Sequence, residues 1–66
     1  MIRVVDRLGA RLLVLDRPDK ANALTQDMLA ALDAAVAQAA ADVVAVLVLT
    51  GAGRVFSAGA DLEGMA

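Results

Sequence analysis

Branched aliphatic residues gather at positions 2–5 and again at 11–15, and the five residues between them, Asp6-Arg7-Leu8-Gly9-Ala10, carry the polar and Gly signals of a turn. Two apolar runs joined by turn chemistry predict a β-hairpin. Pro18 ends the second strand: it has no N–H to give a ladder, and it biases Arg17 towards extended backbone. A loop then runs through Ala23. From Thr25 the period changes. Leu29, Leu32, Val36 and then Ala39 or Ala40 recur in steps of three and four, with Asp27, Asp33 and Gln38 largely off that stripe, which is the spacing of an amphipathic helix. The Thr25 hydroxyl is placed to accept from the N–H of Asp27 or Met28 as an N-cap, and Asp27 puts negative charge where the helix dipole favours it. The Ala-rich body has high helix propensity, and its end is expected near Ala41, before the β-branched Val43 and Val44.

Residues 43–49 form a continuous apolar run instead of an alternating one. That is the pattern of a strand buried on both faces of a parallel sheet. Thr50-Gly51-Ala52-Gly53 closes it, and residues 54–66 read as a loop leading into a short helix opened by Asp61. The class is therefore α/β: a β-hairpin, a helix, a buried parallel strand and the start of a short helix. Strand, helix and strand in this order make a crossover unit. There is no internal repeat and no low-complexity linker.

Composition narrows the setting. A chain of 66 residues is one unit at most, and a domain of that size buries only about 60% of the surface its unfolded form exposes. It has no Cys and no His from which to build the disulfides or metal sites that usually support small domains. Support is expected from another chain or from further sequence. The hydrophobic fraction is 61% with Phe56 the single aromatic and mean hydropathy is +0.71, so the core is made of small aliphatics. The net charge is -2 and the six basic residues, Arg3, Arg7, Arg11, Arg17, Lys20 and Arg54, are scattered. A nucleic-acid partner, which needs clustered positive charge, is excluded. The start lacks the apolar run of a secretory signal, and the longest apolar candidate, residues 34–49, is broken by Gln38 and Asp42, so no membrane span is expected. The expectation is a soluble cytoplasmic protein, in keeping with the absence of cysteine.

Absent residues also limit the chemistry. Without His or Cys these residues hold no Ser-His-Asp triad, no thiol nucleophile and no imidazole or thiolate metal site. Asp6, Asp16, Asp19, Asp27, Asp33 and Asp42 fall in predicted turns or on a helix flank and read as solvated surface charge. Gly51-Ala52-Gly53 after an apolar strand invites a dinucleotide-binding βαβ reading, but Phe56 stands where a third Gly or Ala belongs and no helix opens at once. A β-turn after a buried strand accounts for the same residues. No Gly-Lys-Ser/Thr follows, which excludes a Walker-type loop.

Two separated segments carry more. Asp16-Arg17-Pro18-Asp19-Lys20-Ala21-Asn22-Ala23-Leu24 resembles the pattern of the enoyl-CoA hydratase (crotonase) family, an apolar strand, then Arg-Pro, then Asn-Ala-Leu before a helix. Val46-Leu47-Val48-Leu49-Thr50-Gly51 and Phe56-Ser57-Ala58-Gly59-Ala60-Asp61-Leu62 resemble the next strand of that family and its Phe-x-Ala-Gly-Ala-Asp loop. Either segment alone is weak; in this order and spacing they are specific to the superfamily.

The resemblance implies that residues 1–66 are the amino-terminal part of an incomplete crotonase-like domain, a ββα spiral fragment. It implies an acyl-CoA thioester substrate, with coenzyme A present only as part of that substrate and no separate cofactor or metal. Backbone N–H groups fixed near a thioester oxygen stabilise the charge an enolate develops, and small residues let the main chain approach. By resemblance the N–H of Ala60 is one of two oxyanion-hole donors, the backbone around Ala58 meets the adenine of coenzyme A, Gly59 is a further substrate-binding residue, and Asp61 and Leu62 line the same loop. Lys20 and Ala21 are expected to border the nucleotide, although Lys20 reads equally well as plain surface charge. In the family the second donor and the catalytic Glu pair of hydratases lie downstream, and Glu63 does not stand in for them. Full-length members assemble as homotrimers or pairs of trimers. Two functions follow: part of an enoyl-CoA hydratase, inactive as these residues alone, or a catalytically silent remnant or assembly module.

Overall fold

The hairpin forms with a tighter turn than its composition suggests. Strands β1 (Ile2–Arg7) and β2 (Ala10–Leu15) pair antiparallel from Ile2 opposite Leu15 to Arg7 opposite Ala10. Only Leu8 and Gly9 remain for the turn, with φ of 48° and 84°, the two positive values that a type I′ turn requires. The five-residue turn expected from Asp6 to Ala10 is thus shortened at both ends. Asp6 and Arg11 are polar and still belong to the ladder, because they face one another across it. The Arg11 guanidinium donates to both Asp6 carboxylate oxygens at 2.7 and 3.2 Å.

This computed structural model describes residues 1–59. A 3₁₀ turn over Pro18–Lys20 follows β2, and helix α1 spans Gln26–Ala41. Thr25 caps α1 as its position predicts: its backbone is extended and its Oγ1 accepts from the Met28 N–H at 3.1 Å. After Ala41 the chain turns out through Asp42, and Val43 takes a positive φ of 54°.

The buried face of α1 keeps Leu32 and Ala39 of the expected stripe and differs from it by one residue at the other two positions. Met28 and Ala39 are buried and Leu32 and Ala35 half-buried, whereas Leu29 and Val36 are exposed. In a helix this rich in Ala, two adjacent stripes are nearly equal in apolar character. The flexible Met28 side chain, only 1% exposed, takes the buried place in the first turn that Leu29 was expected to occupy.

Strand β3 (Val46–Gly51) lies parallel to β2, with Ala10 opposite Val46 and Leu15 opposite Gly51, giving the sheet order β1-β2-β3. β2 is the central strand and holds the core residues Leu13, Val14 and Leu15. β3 departs from expectation. It begins at Val46 instead of Val43, and Val46, Leu47, Val48 and Leu49 are each 39–54% exposed. The parallel pairing is as predicted, but the burial on both faces is not. Among the described residues β3 has a neighbour on its β2 side only, and α1 packs chiefly over β1 and β2. No helix among the described residues is long and apolar enough to cross a membrane. The short helix expected from Asp61 lies outside the described residues.

Candidate functional site

Because β2 and β3 are parallel and in register to their ends, their carboxyl ends deliver two loops side by side: residues 16–25 leaving β2 and residues 52–59 leaving β3. Crevices beyond the carboxyl ends of parallel strands are where open α/β sheets bind ligands. The Ala52 N–H continues the ladder, donating to the Leu15 carbonyl at 2.8 Å.

The first loop is a set of nested turns. The N–H groups of Lys20 and Asn22 donate to the Arg17 carbonyl and that of Ala21 to the Pro18 carbonyl, at 2.9–3.1 Å. Ala21 and Asn22 both have left-handed backbone, with φ of 50° and 55°. Asn tolerates that conformation through local side-chain bonding, whereas Ala does so at a cost of roughly 1–2 kcal/mol. The Asn22 side chain is 0% exposed, and its hydrogen bonds account for its burial. Its Oδ1 accepts from the Arg17 N–H at 2.8 Å, and its Nδ2 donates to the carbonyls of Ala52 at 2.8 Å and Val55 at 2.7 Å.

The second loop folds down onto that side chain because Gly51 has none. A Cβ at position 51 would stand 2.8 Å from Asn22 Nδ2 and would run into the backbone of Phe56. Beyond Phe56 the loops are laced directly. The Ala58 N–H donates to the Ala21 carbonyl at 2.9 Å, and the Leu24 N–H to the Gly59 carbonyl at 2.7 Å. Ser57 Oγ donates to the Asn22 carbonyl at 2.9 Å and accepts from the Gly59 N–H at 3.0 Å. Gly59 carries φ of 93°, a value that suits Gly alone.

Of the residues singled out from sequence, Ala21, Ala58 and Gly59 are brought together in this lacing, Ala21 half-buried and the other two exposed. Lys20 adjoins them on the exposed end of the 3₁₀ turn and makes no ion pair among the described residues. Ala60, Asp61 and Leu62 lie outside the described residues. The N–H groups of Ala58 and Gly59 are already used within the loops, so neither is free to serve as an anion donor. Asn22 and Ser57 were not singled out for any role. The available signal was chemical: Asn is among the few residues that accept left-handed backbone, and it sits in an otherwise small, apolar Ala21-Asn22-Ala23 stretch.

The strongest electrostatics lie at the other end of the sheet. Arg11, 14% exposed at its side chain, bridges Asp6 and Asp42 and donates Nη1 to Asp42 Oδ2 at 2.7 Å. Its hydrogen bonds hold the carboxyls of both Asp6 and Asp42 below their ordinary value, the Gln38 amide adding to the effect at Asp42, and push the guanidinium up in turn. This triad ties the hairpin to the end of α1. An apolar groove of about 450 Å³ runs between α1 and β3, lined by Leu13, Leu32, Asp33, Val36, Leu47 and Leu49.

Comparisons place this arrangement among known proteins. The sequence model of the enoyl-CoA hydratase/isomerase family matches residues 9–66. The Mycobacterium tuberculosis (strain ATCC 25618 / H37Rv) protein named "Probable enoyl-CoA hydratase EchA14" is 46% identical over 55 residues, which is 82% of this chain and 22% of that protein. The crystal structure of an enoyl-CoA hydratase from Thermoplasma volcanium GSS1 superposes with a TM-score of 0.87 at 41% identity, covering 97% of this chain and 26% of that one. An enoyl-CoA hydratase from Mycobacterium tuberculosis H37Rv gives 0.91 at 38% identity, with 97% and 29% covered. The chain thus spans about a fifth of the curated relative and little more than a quarter of the solved structures.

Proposed function

The chain belongs to the enoyl-CoA hydratase/isomerase family, and on that premise we propose that its two laced loops are the amino-terminal share of a site for an acyl-coenzyme A thioester. The observation that carries the reading is the lacing itself. Residues 57–59 are held against residues 21–24 at the carboxyl ends of parallel strands, and the N–H groups of Ala58 and Gly59 are spent in holding them there. The next donor along the chain is the N–H of Ala60. In this reading it is one of the two oxyanion donors, preorganised for the charge that an enolate develops and needing no rearrangement as it forms. The backbone around Ala58 meets the adenine of coenzyme A, Gly59 takes part in substrate binding, Lys20 and Ala21 border the nucleotide, and Asp61 and Leu62 belong to the same substrate-binding loop.

The reaction proposed is addition of water to a 2-enoyl-CoA, in a cytoplasmic enzyme that assembles as a homotrimer or a pair of trimers. These 66 residues contribute one donor, with the second donor and the acid-base pair supplied by sequence beyond them, so this chain alone is catalytically silent. The exposure of residues 46–49 on β3 favours a companion reading, in which the fragment acts as an assembly module that needs a partner surface.

The chain is tested with crotonyl-CoA, following loss of the enoyl absorbance. No rate above a buffer blank is expected from the chain alone, and a measurable rate would remove the silent reading. With the remaining portion of a solved relative supplied in trans, coenzyme A is expected to slow amide exchange at residues 58–60. If it protects none of them, the acyl-CoA assignment fails.

A further inference from the structure

We infer that Asn22 is the positioning residue of this site, one that sets where residues 57–59 stand, without itself touching the substrate. The inference rests on the acyl-CoA reading for its functional meaning but on geometry for its substance. Asn22 is the only polar side chain among the described residues that is buried, and no buried polar side-chain atom among them lacks a partner. It reaches in three directions. Oδ1 holds the start of its own loop at the Arg17 N–H, while Nδ2 holds the first half of the other loop at the carbonyls of Ala52 and Val55. Its carbonyl receives Ser57 Oγ, which in turn fixes the Gly59 N–H. Partners 30 and 33 residues away in sequence are thereby locked to a left-handed turn, whose orientation also aims the Ala21 carbonyl at Ala58. A residue that merely filled space would need neither both ends of an amide nor left-handed backbone.

The two arms of the side chain separate this role from bulk stability. Asn22→Asp keeps the acceptor for Arg17 but turns an oxygen towards the two carbonyls that Nδ2 now binds. Asn22→Gly keeps the backbone conformation and removes both arms. Residue-resolved hydrogen exchange on the full 66-residue chain is the readout. With Asn22→Asp, the amides of Ala58 and Leu24 are expected to exchange about tenfold faster or more, while those of Arg17 and of the β1–β2 ladder hold within about twofold. With Asn22→Gly the Arg17 amide accelerates as well. If Ala58 and Leu24 are unchanged in both variants, the inference is overturned. It is equally overturned if the β1–β2 amides lose protection along with the loops in both, because Asn22 is then a general stabiliser. Where Asn22→Asp alone loses the ladder, Asn22→Gly decides by the same criterion. A second arm adds coenzyme A to the wild-type chain and to Asn22→Gly. Protection of residues 58–59 in the first and its loss in the second extend the role to ligand binding. Both proteins are given the remaining portion of a solved relative in trans, and absence of protection in the wild type under that condition refutes the acyl-CoA reading at this site and leaves the positioning role to the unliganded exchange.

Discussion

The loop end of the molecule and its β3 flank close in opposite ways. At the loop end, two segments leaving neighbouring strands satisfy one another: Asn22 is fully buried with its side chain bonded at both ends, and Ala21, Asn22, Leu24, Ser57, Ala58 and Gly59 exchange donors and acceptors. At the flank, Val46 through Leu49 stand 39–54% exposed beside an open apolar groove. The difference lies in what each kind of closure needs. Hydrogen bonds are short and directional, so two loops suffice to complete them. Apolar burial needs area, and one helix over a three-stranded sheet runs out of it, as small domains generally do.

The sharpest way to break the comparison is at Gly51. Its hydrogen occupies space that a methyl group would share with the Phe56 backbone and, at 2.8 Å, with Asn22 Nδ2. Backbone cannot swing aside as the end of a side chain can. Gly51→Ala is expected to destabilise the chain by about 3 kcal/mol, at the upper end for overpacking, measured by urea denaturation followed by circular dichroism. Exchange should rise first at Ala58 and Leu24. A loss under about 1 kcal/mol would mean that the two loops are not closed on one another as described.

Thr25 lies where the loop end hands over to α1, and its cap ranks next. Thr25→Ala is expected to cost about 1 kcal/mol, seen as lower helical ellipticity and a lower urea midpoint. The cap was legible because capping depends on residues within one turn of each other. What escaped sequence reading depended on distance. Asn22 could be quoted as part of a motif, but its partners, the carbonyls of Ala52 and Val55, are backbone atoms that carry no residue signature. In the helix stripe Leu32 and Ala39 fall where expected, but Met28 and Ala35 take the inner places of Leu29 and Val36, because in a helix so rich in Ala the neighbouring positions are all apolar and only the sheet decides between them. Similarly, residues 43–49 announce a strand and its parallel partner, yet a continuous apolar run states what the strand requires and says nothing of whether these residues supply it. Ala60, Asp61 and Leu62, which end the second of the two segments that carry the family resemblance, lie outside the described residues.

A smaller effect tests whether the loop end alone holds α1 to the sheet. At the far end that work falls to Arg11, bonded to Asp6 and Asp42. Arg11 lowers both carboxyls from an ordinary value of 3.8. A group whose folded value is depressed contributes stability that is fully present above its unfolded value and disappears as pH falls through the folded one. The tie is therefore intact at neutral pH and weakens only below 3.8, towards the depressed values. Asp6 is largely exposed, so water and salt reduce the gain. Stability measured from pH 7 downwards should show this contribution flat until that window. Arg11→Met should abolish it, and exchange at Ala58 should stay unaffected by the substitution. Acceleration at Ala58 would show that the two ends are coupled.

The smallest expected change in stability sharpens the comparison most. Val46 and Val48 point to the sheet face away from Leu47 and Leu49, by strand alternation, and are 54% and 39% exposed. If that face is uncovered, replacing both with Lys removes little burial. The cost should stay within about 0.5 kcal/mol per site, even though Lys is a poorer strand residue than Val. What should change is association, because an exposed apolar edge strand is a template for pairing with other chains and two like charges on it repel. Sedimentation velocity over a range of concentrations is expected to show self-association in the wild-type chain and its loss in Val46→Lys, Val48→Lys. A large loss of stability that grows with protein concentration would mean that the wild-type flank is already covered by copies of itself. In that case the loop end and the flank would both be closed, one within the chain and the other between chains.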